Sequence, residues 1–185
     1  MTALRALPNV LTATRLLLAV PIALSIQDGR FGTALLIAAA AGLTDALDGY
    51  LARRLDARSR LGAALDPVAD KTLIFAVFVS LAAVGLLPVW VAAVVIVRDL
   101  IIVGGATAYH FLIGGLEFSP TPLSKLNMAI QVLYLVTVLG NALGGWLPPW
   151  LLVAFTTVVL VVAVTSGLQY VVLWSRKAVA ARRGV

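Results

Sequence analysis

DALDGYLARRLDARSRLGAALDPVADK, residues 45–71, interrupts a chain that is otherwise almost continuously apolar. Asp45 and Asp48 stand three positions apart, and Asp66 and Asp70 four apart. On helices those spacings put each pair on one face. In a membrane-like setting a carboxylate costs roughly 2.5–3.5 kcal/mol on insertion scales. Four together also repel one another unless positive charge lies between them. The stretch calls for a cation.

The surrounding composition says where that stretch lives. Of 185 residues 62% are apolar and 12% charged, against about 25% charged in a soluble domain. Several apolar runs reach the roughly 18 residues needed to cross a hydrocarbon core. The expected class is therefore all-α: a polytopic membrane protein of six transmembrane helices, forming a single membrane domain over residues 1–185. With no cysteine, disulfides and thiolate metal sites are excluded, and a single histidine, His110, excludes a multi-histidine zinc site. The first apolar run lacks a small-residue cleavage signal after it and reads as a retained helix.

The net charge of +6 is unevenly spread. Arg5 and Arg15 flank the first span's start, Arg53, Arg54, Arg58 and Arg60 precede the third, and Arg176, Lys177, Arg182 and Arg183 form the tail. The connections that would lie on the opposite side hold only Arg30. The positive-inside rule then places both termini and residues 45–71 on the cytoplasmic side of an inner, cytoplasmic membrane. Basic segments beside a bilayer suit anionic lipids. Nucleic acid is not an expected partner, because no soluble basic domain is present to carry it.

Pro8 with Asn9 and Thr12 marks a helix start, and the first span runs to about Ile26. The second runs from about Phe31 to Tyr50 and continues into Ala52-Arg53-Arg54, with residues 55–61 a short basic loop. The third runs from near Gly62 to Val84, with Pro67 in or near its first turn. The fourth covers about Val89–Leu112 and carries Arg98-Asp99 inside an apolar run. Residues 114–124 form a Gly/Pro-rich loop, and the last two spans cover about Lys125–Leu143 and Trp150–Trp174.

At the end of the second span Asp45, Asp48, Gly49, Ala52 and Arg53 fall on one stripe of a helix. Two carboxylates there stand beside two small positions, where a bulky group can approach the backbone, and a guanidinium able to grip phosphate bidentately. The third helix repeats the pattern with Gly62, Asp66 and Asp70. Two aspartates from each helix can hold two oxygen-liganded divalent ions, and Mg²⁺ or Mn²⁺ suit hard carboxylates best. Paired ions serve displacement at phosphorus. An alcohol nucleophile also needs a base, and Asp70, deepest in its helix and beside Lys71, is the candidate.

Salt bridges at helix ends would be the bland account. They suit Asp56 in the basic loop but serve the four clustered aspartates poorly. An ion or proton transporter would also bury carboxylates, yet the repeat symmetry and broken helices of that class are not apparent in the sequence. The DDxxD run of the polyisoprenyl-diphosphate enzymes is missing too.

The stretch resembles the signature of the CDP-alcohol phosphotransferases, D-x2-D-G-x2-A-R-x8-G-x3-D-x3-D. Asp45, Asp48, Gly49, Ala52, Arg53, Gly62, Asp66 and Asp70 meet every fixed position. The resemblance implies a six-helix membrane fold, usually a homodimer, with a cytoplasm-facing site. It implies that Asp45, Asp48 and Asp66 ligate the metals and that Asp70 completes the second site and acts as base. Gly49, Arg53 and Gly62 would line the CDP part of the donor, CDP-diacylglycerol. Ser59 matches a position that touches the donor diphosphate, and Leu7-Pro8-Asn9-Val10 the donor-contacting start of the first helix.

Beyond the signature, LPNVLTATR at residues 7–15 resembles the start shared by phosphatidylglycerophosphate synthases and CMP-forming cardiolipin synthases. LGAALDPVADK, Arg98-Asp99 and SKLNMAIQ at residues 124–131 continue the likeness, and the later segments look closer to the cardiolipin synthases. Asn127 stands where glycerophosphate-using enzymes commonly carry lysine, whereas Met128 departs from a threonine frequent in both groups. The resemblance therefore implies phosphatidylglycerol as acceptor, with glycerol 3-phosphate the alternative.

Five further features bear on the reading. Arg98 is either half of a structural pair with Asp99 or a contact to an acceptor phosphate. Lys125 is either an interfacial anchor or a headgroup contact. Trp90, Trp146, Trp150 and Trp174 read as aromatic-belt anchors and His110 as interfacial packing. The Gly104-Gly105 pair reads as a point of close helix contact.

Overall fold

A computed structural model of the chain describes the backbone of residue 14 and of residues 17–55, 60–112 and 121–182. Side chains are described within those ranges except at residues 45–55, 60–70, 106, 108–112 and 177–182. The described residues form helices and no strands: α1 (Leu17–Gln27), α2 (Phe31–Leu55), α3 (Arg60–Ala83), α4 (Val89–Leu112), α5 (Pro122–Gly144) and α6 (Pro149–Arg182).

Each turn between apolar helices closes by backbone chemistry. At the end of α1 the Arg30 N–H donates to the Ser25 carbonyl at 2.8 Å and the Gly29 N–H to that of Ile26 at 3.1 Å. Gly29 carries φ +72°, so the helix ends in a Schellman motif that only a residue at ease in the left-handed region can close. The same pattern ends α3, with Leu86 donating to Leu81, Gly85 to Ala82, and φ +78° at Gly85. Proline follows at Pro88 and α4 starts one residue later.

The chain divides into two compact units. One takes residues 1–87 and 135–146: α1, α2, α3 and the second part of α5. Ile22, Ile26, Phe78, Leu81 and Leu139 are buried in it, and Gly32 lets α2 pass close to Leu143 of α5. The other takes residues 88–134 and 147–185: α4, the first part of α5 and α6. Here α4 packs along α6, with Val91, Val95, Val159 and Ala163 buried.

Large apolar side chains also point outward, among them Leu17, Leu36, Leu100, Leu133 and Val153. Among the described residues α5 and the Pro149–Arg176 part of α6 are long and apolar enough to cross a membrane. Phe31–Thr44 of α2 and Lys71–Ala83 of α3 are shorter apolar stretches. Both helices run on into residues 45–71, which carry the four aspartates.

Several boundaries differ from the sequence reading. Because α3 starts at Arg60, Pro67 lies in its second turn and denies the Ala63 carbonyl its helical donor. Because α5 starts at Pro122, the expected loop loses its last three residues to the helix. Proline is favoured at that first helical position. α6 continues to Arg182, well past Trp174. Trp90, Trp146 and Trp150 are exposed near helix starts as belt residues would be. Trp174 instead lies against Gly105 of α4, where an added Cβ would meet its ring at 3.1 Å. Gly104 has nothing within 4 Å of such a Cβ, so only the second glycine of the pair makes the close contact. The His110 side chain lies outside the described residues.

Candidate functional site

The residues expected to form the donor half lie on two helix backbones. α2 carries Asp45, Asp48, Gly49, Ala52 and Arg53, and α3 carries Gly62, Asp66 and Asp70. Both runs are helical throughout, so the condition on which the spacing depends is met: each aspartate pair shares a face. Hard carboxylate oxygens from two helices are a donor set that fits Mg²⁺ or Mn²⁺. The side chains of these residues lie outside the described set, as do Leu7, Pro8, Asn9, Val10 and Ser59 altogether. Among the described residues there is no other group of three or more metal-ligating side chains.

The second unit holds a polar cluster that is described in full. It begins at the start of α5. Thr121 caps the helix, its Oγ1 accepting from the Ser124 N–H at 3.2 Å. The Thr121 N–H donates to the Tyr170 hydroxyl of α6 at 3.2 Å, and Thr121 Oγ1 meets Gln169 Oε1 at 3.1 Å. The cap therefore ties the entry of α5 to α6 and fixes where Ser124 points.

Ser124 points at Arg98. The guanidinium, with Arg98 only 6% exposed, donates from Nη2 to Ser124 Oγ at 3.0 Å and to Ser166 Oγ at 2.5 Å. From Nη1 it donates to Asp99 Oδ1 at 2.5 Å. Three helices thus converge on one cation, and Gly167 leaves room for it, since an added Cβ would meet Arg98 Cγ at 3.3 Å. A buried charge is tolerated only when paired and hydrogen-bonded in this way. The pairing of Arg98 with Asp99 expected from the sequence is present; the Nη groups are committed, and Nε has no partner among the described residues.

Lys125 is exposed in the first turn of α5. Asn127, by contrast, is 1% exposed, and neither its Oδ1 nor its Nδ2 has a hydrogen-bond partner among the described residues. A cleft of about 340 Å³ between α4 and α6 includes Arg98 in its wall but is otherwise apolar, lined by Val97, Ile101, Val164 and Leu168 among others. It is not where a polar headgroup would be read.

Sequence reasoning missed Thr121 and Ser166 as parts of this cluster. Thr-Pro before an apolar run is a helix-start signal that would have found the first. Nothing in the local sequence marks Ser166, which meets Arg98 from 68 positions away.

Comparison with known proteins bears on both halves. The family model for CDP-alcohol phosphatidyltransferase matches residues 5–166. The chain is 34% identical over 173 aligned positions to cardiolipin synthase (CMP-forming) of Homo sapiens, covering 82% of this chain and 58% of the human protein. It is 31% identical over 173 positions to a probable cardiolipin synthase (CMP-forming) of Drosophila melanogaster, covering 82% of this chain and 54% of that protein. A probable phosphatidylglycerophosphate synthase of Mycobacterium tuberculosis is 40% identical over 101 positions, or 51% of this chain and 48% of that one. The chain spans a little over half the length of the two cardiolipin synthases. With its signature residues on two consecutive helices and its family model covering most of its length, the chain belongs to the CDP-alcohol phosphatidyltransferase family of enzymes.

Proposed function

We propose that the protein transfers a phosphatidyl group from CDP-diacylglycerol to a free hydroxyl of phosphatidylglycerol, giving cardiolipin and CMP. The observation that carries the reading is the similarity to CMP-forming cardiolipin synthases, which runs over 82% of the chain rather than over the signature alone. The helical placement of the signature supports the donor half.

Asp45, Asp48 and Asp66, with Asp70 completing the second position, would hold two Mg²⁺ or Mn²⁺ ions. When bound, such ions supply charge stabilisation at the diphosphate. The chain's own groups do the rest. Arg53 grips a phosphate of the CDP group as a fork, Gly49 and Gly62 leave space beside it, and Ser59 and Leu7–Val10 border the donor. Asp70 takes the proton of the acceptor hydroxyl. That oxygen bonds to the lipid-side phosphorus as the bond from this phosphorus to the CMP oxygen breaks, and CMP leaves with the electron pair. Lys125 and Asn127 serve the acceptor, beside the junction of α4, α5 and α6 that Arg98 holds.

We place the enzyme as a six-span homodimer with its termini and site on the cytoplasmic side of an inner membrane. The distribution of arginine and lysine supports that orientation.

The second reading, phosphatidylglycerophosphate synthesis from glycerol 3-phosphate, is favoured by the Mycobacterium tuberculosis match. Purified protein with labelled CDP-diacylglycerol and Mg²⁺ or Mn²⁺ separates the two. Release of CMP should require phosphatidylglycerol. If glycerol 3-phosphate alone triggers it, the cardiolipin reading is lost.

A further inference from the structure

On α5, Ser124, Asn127, Gln131 and Tyr134 recur at spacings of three, four and three, and so occupy one face. The two ends of this polar face are tied to neighbours. Ser124 accepts from Arg98 at 3.0 Å, and the Tyr134 hydroxyl pairs with Thr156 Oγ1 at 2.9 Å. The two amides between them are not. Asn127 is 1% exposed and Gln131 2%. Asn127 Oδ1, Asn127 Nδ2 and Gln131 Nε2 have no hydrogen-bond partner among the described residues. Buried polar atoms in a folded protein are nearly always satisfied, and unsatisfied ones are dearest inside an apolar span.

The atom types say what would satisfy them. Amide N–H groups require an acceptor, whereas Asn127 Oδ1 requires a donor. A bare phosphate accepts but does not donate, so it leaves Asn127 Oδ1 unpaired. A hydroxyl does both and carries no charge to be desolvated. The ligand matched to this pair of amides is therefore a neutral alcohol group.

We propose that Gln131 and Asn127 form a hydroxyl-recognition site that holds the secondary hydroxyl of the acceptor's glycerol, leaving the primary hydroxyl to react. This rests on the acceptor reading given above and adds Gln131 to it.

The test compares an acceptor with its deoxy analogue. Purified protein is assayed for CMP release with phosphatidylglycerol and with phosphatidyl-1,3-propanediol, which lacks only the secondary hydroxyl. Leaving a buried partner unpaired is worth a factor of roughly 10–100, so the native protein should prefer phosphatidylglycerol by about that factor in kcat/KM. In Gln131→Leu the preference should shrink to within about threefold. There the KM for phosphatidylglycerol should rise, with that for CDP-diacylglycerol unchanged. The thermal midpoint should not fall, because an unpaired buried amide is replaced by an apolar group of similar size.

A preference that survives intact in Gln131→Leu means that the amide is structural or held by water, and overturns the proposal. Equal use of both acceptors by the native protein overturns it without any variant. Should Gln131→Leu not fold, Gln131→Met gives the same comparison. If phosphatidylglycerol is inert and glycerol 3-phosphate active, the pair becomes glycerol 3-phosphate and 3-hydroxypropyl phosphate, which separates failure of the acceptor reading from failure of this one. No CMP release with any of these acceptors overturns both.

Discussion

The aspartate stretch of α2 and α3 and the Arg98 cluster of α4, α5 and α6 both carry charge into an apolar chain, and they do so on opposite terms. The aspartates are ordered by sequence spacing along two helix backbones. Arg98 is ordered by packing: its partners Ser124 and Ser166 come from 26 and 68 positions away. Four carboxylates brought together by that spacing would need a cation from outside. The Arg98 cluster closes most of its hydrogen bonds from within. Charge that the fold satisfies from its own side chains, as at Arg98, is architecture first.

Substitutions should split along that line. Asp70→Asn removes the proposed base while conserving shape. CMP release should fall by about 10³-fold, within the usual range for a general base, and the thermal midpoint in detergent should hold. A variant that stays active sinks Asp70 as base; one that unfolds makes the aspartates architecture after all.

Arg98→Leu is the converse. It strips Ser166, Ser124 and Asp99 of their shared donor, and deleting one partner of a buried ion pair costs about 3–5 kcal/mol. Chemical or thermal unfolding should show that loss directly, with Arg98→Lys recovering part of it through a single point charge. An Arg98→Leu protein with a native midpoint but no activity would move Arg98 into the reacting machinery and erase the contrast.

This difference also explains what was legible beforehand. The helices could be read because periodicity and glycine–proline punctuation are local. The Schellman ends at Gly29 and Gly85 and the start at Pro122 follow from single residues. The Arg98 cluster and the polar face of α5 could not be assembled, because a buried serine or glutamine in an apolar helix has no local signature. Gln131 sits within NMAIQVLY, and only its phase with Ser124, Asn127 and Tyr134 places it on a polar face. Trp174 went astray for a related reason. A tryptophan near a span's end suits an interface or a groove equally well, and the deciding partner, Gly105, is 69 positions away.

The Arg98 cluster depends in turn on how α5 is entered. Thr121 caps the helix through its Oγ1, and its backbone N–H binds Tyr170. Thr121→Ala removes the cap and keeps the backbone bond, at about 1 kcal/mol. The midpoint should drop by about 2–4 °C for a chain of this size. Thr121→Ser, which keeps the hydroxyl, should restore it. If both variants melt alike, the tie to Tyr170 alone orients Ser124.

The smallest effect tests whether packing or propensity governs α4. Alanine in place of a helical glycine gains about 0.5–1 kcal/mol through lost freedom of the unfolded chain. At Gly104 nothing stands within 4 Å of the new methyl group, so Gly104→Ala should be stabilising by that amount. At Gly105 the same methyl meets Trp174 Cδ1 at 3.1 Å and Nε1 at 3.2 Å. The indole must shift by a few tenths of an ångström, and overpacking costs about 1–3 kcal/mol, so Gly105→Ala should come out level or destabilising. Neighbouring glycines on one helix would then answer the same substitution with opposite signs, and paired melts of the two variants read the difference without any assay of activity. Equal stabilisation at both positions would mean that α6 yields freely against α4, and that Arg98 is held by its hydrogen bonds rather than by the helices that carry them.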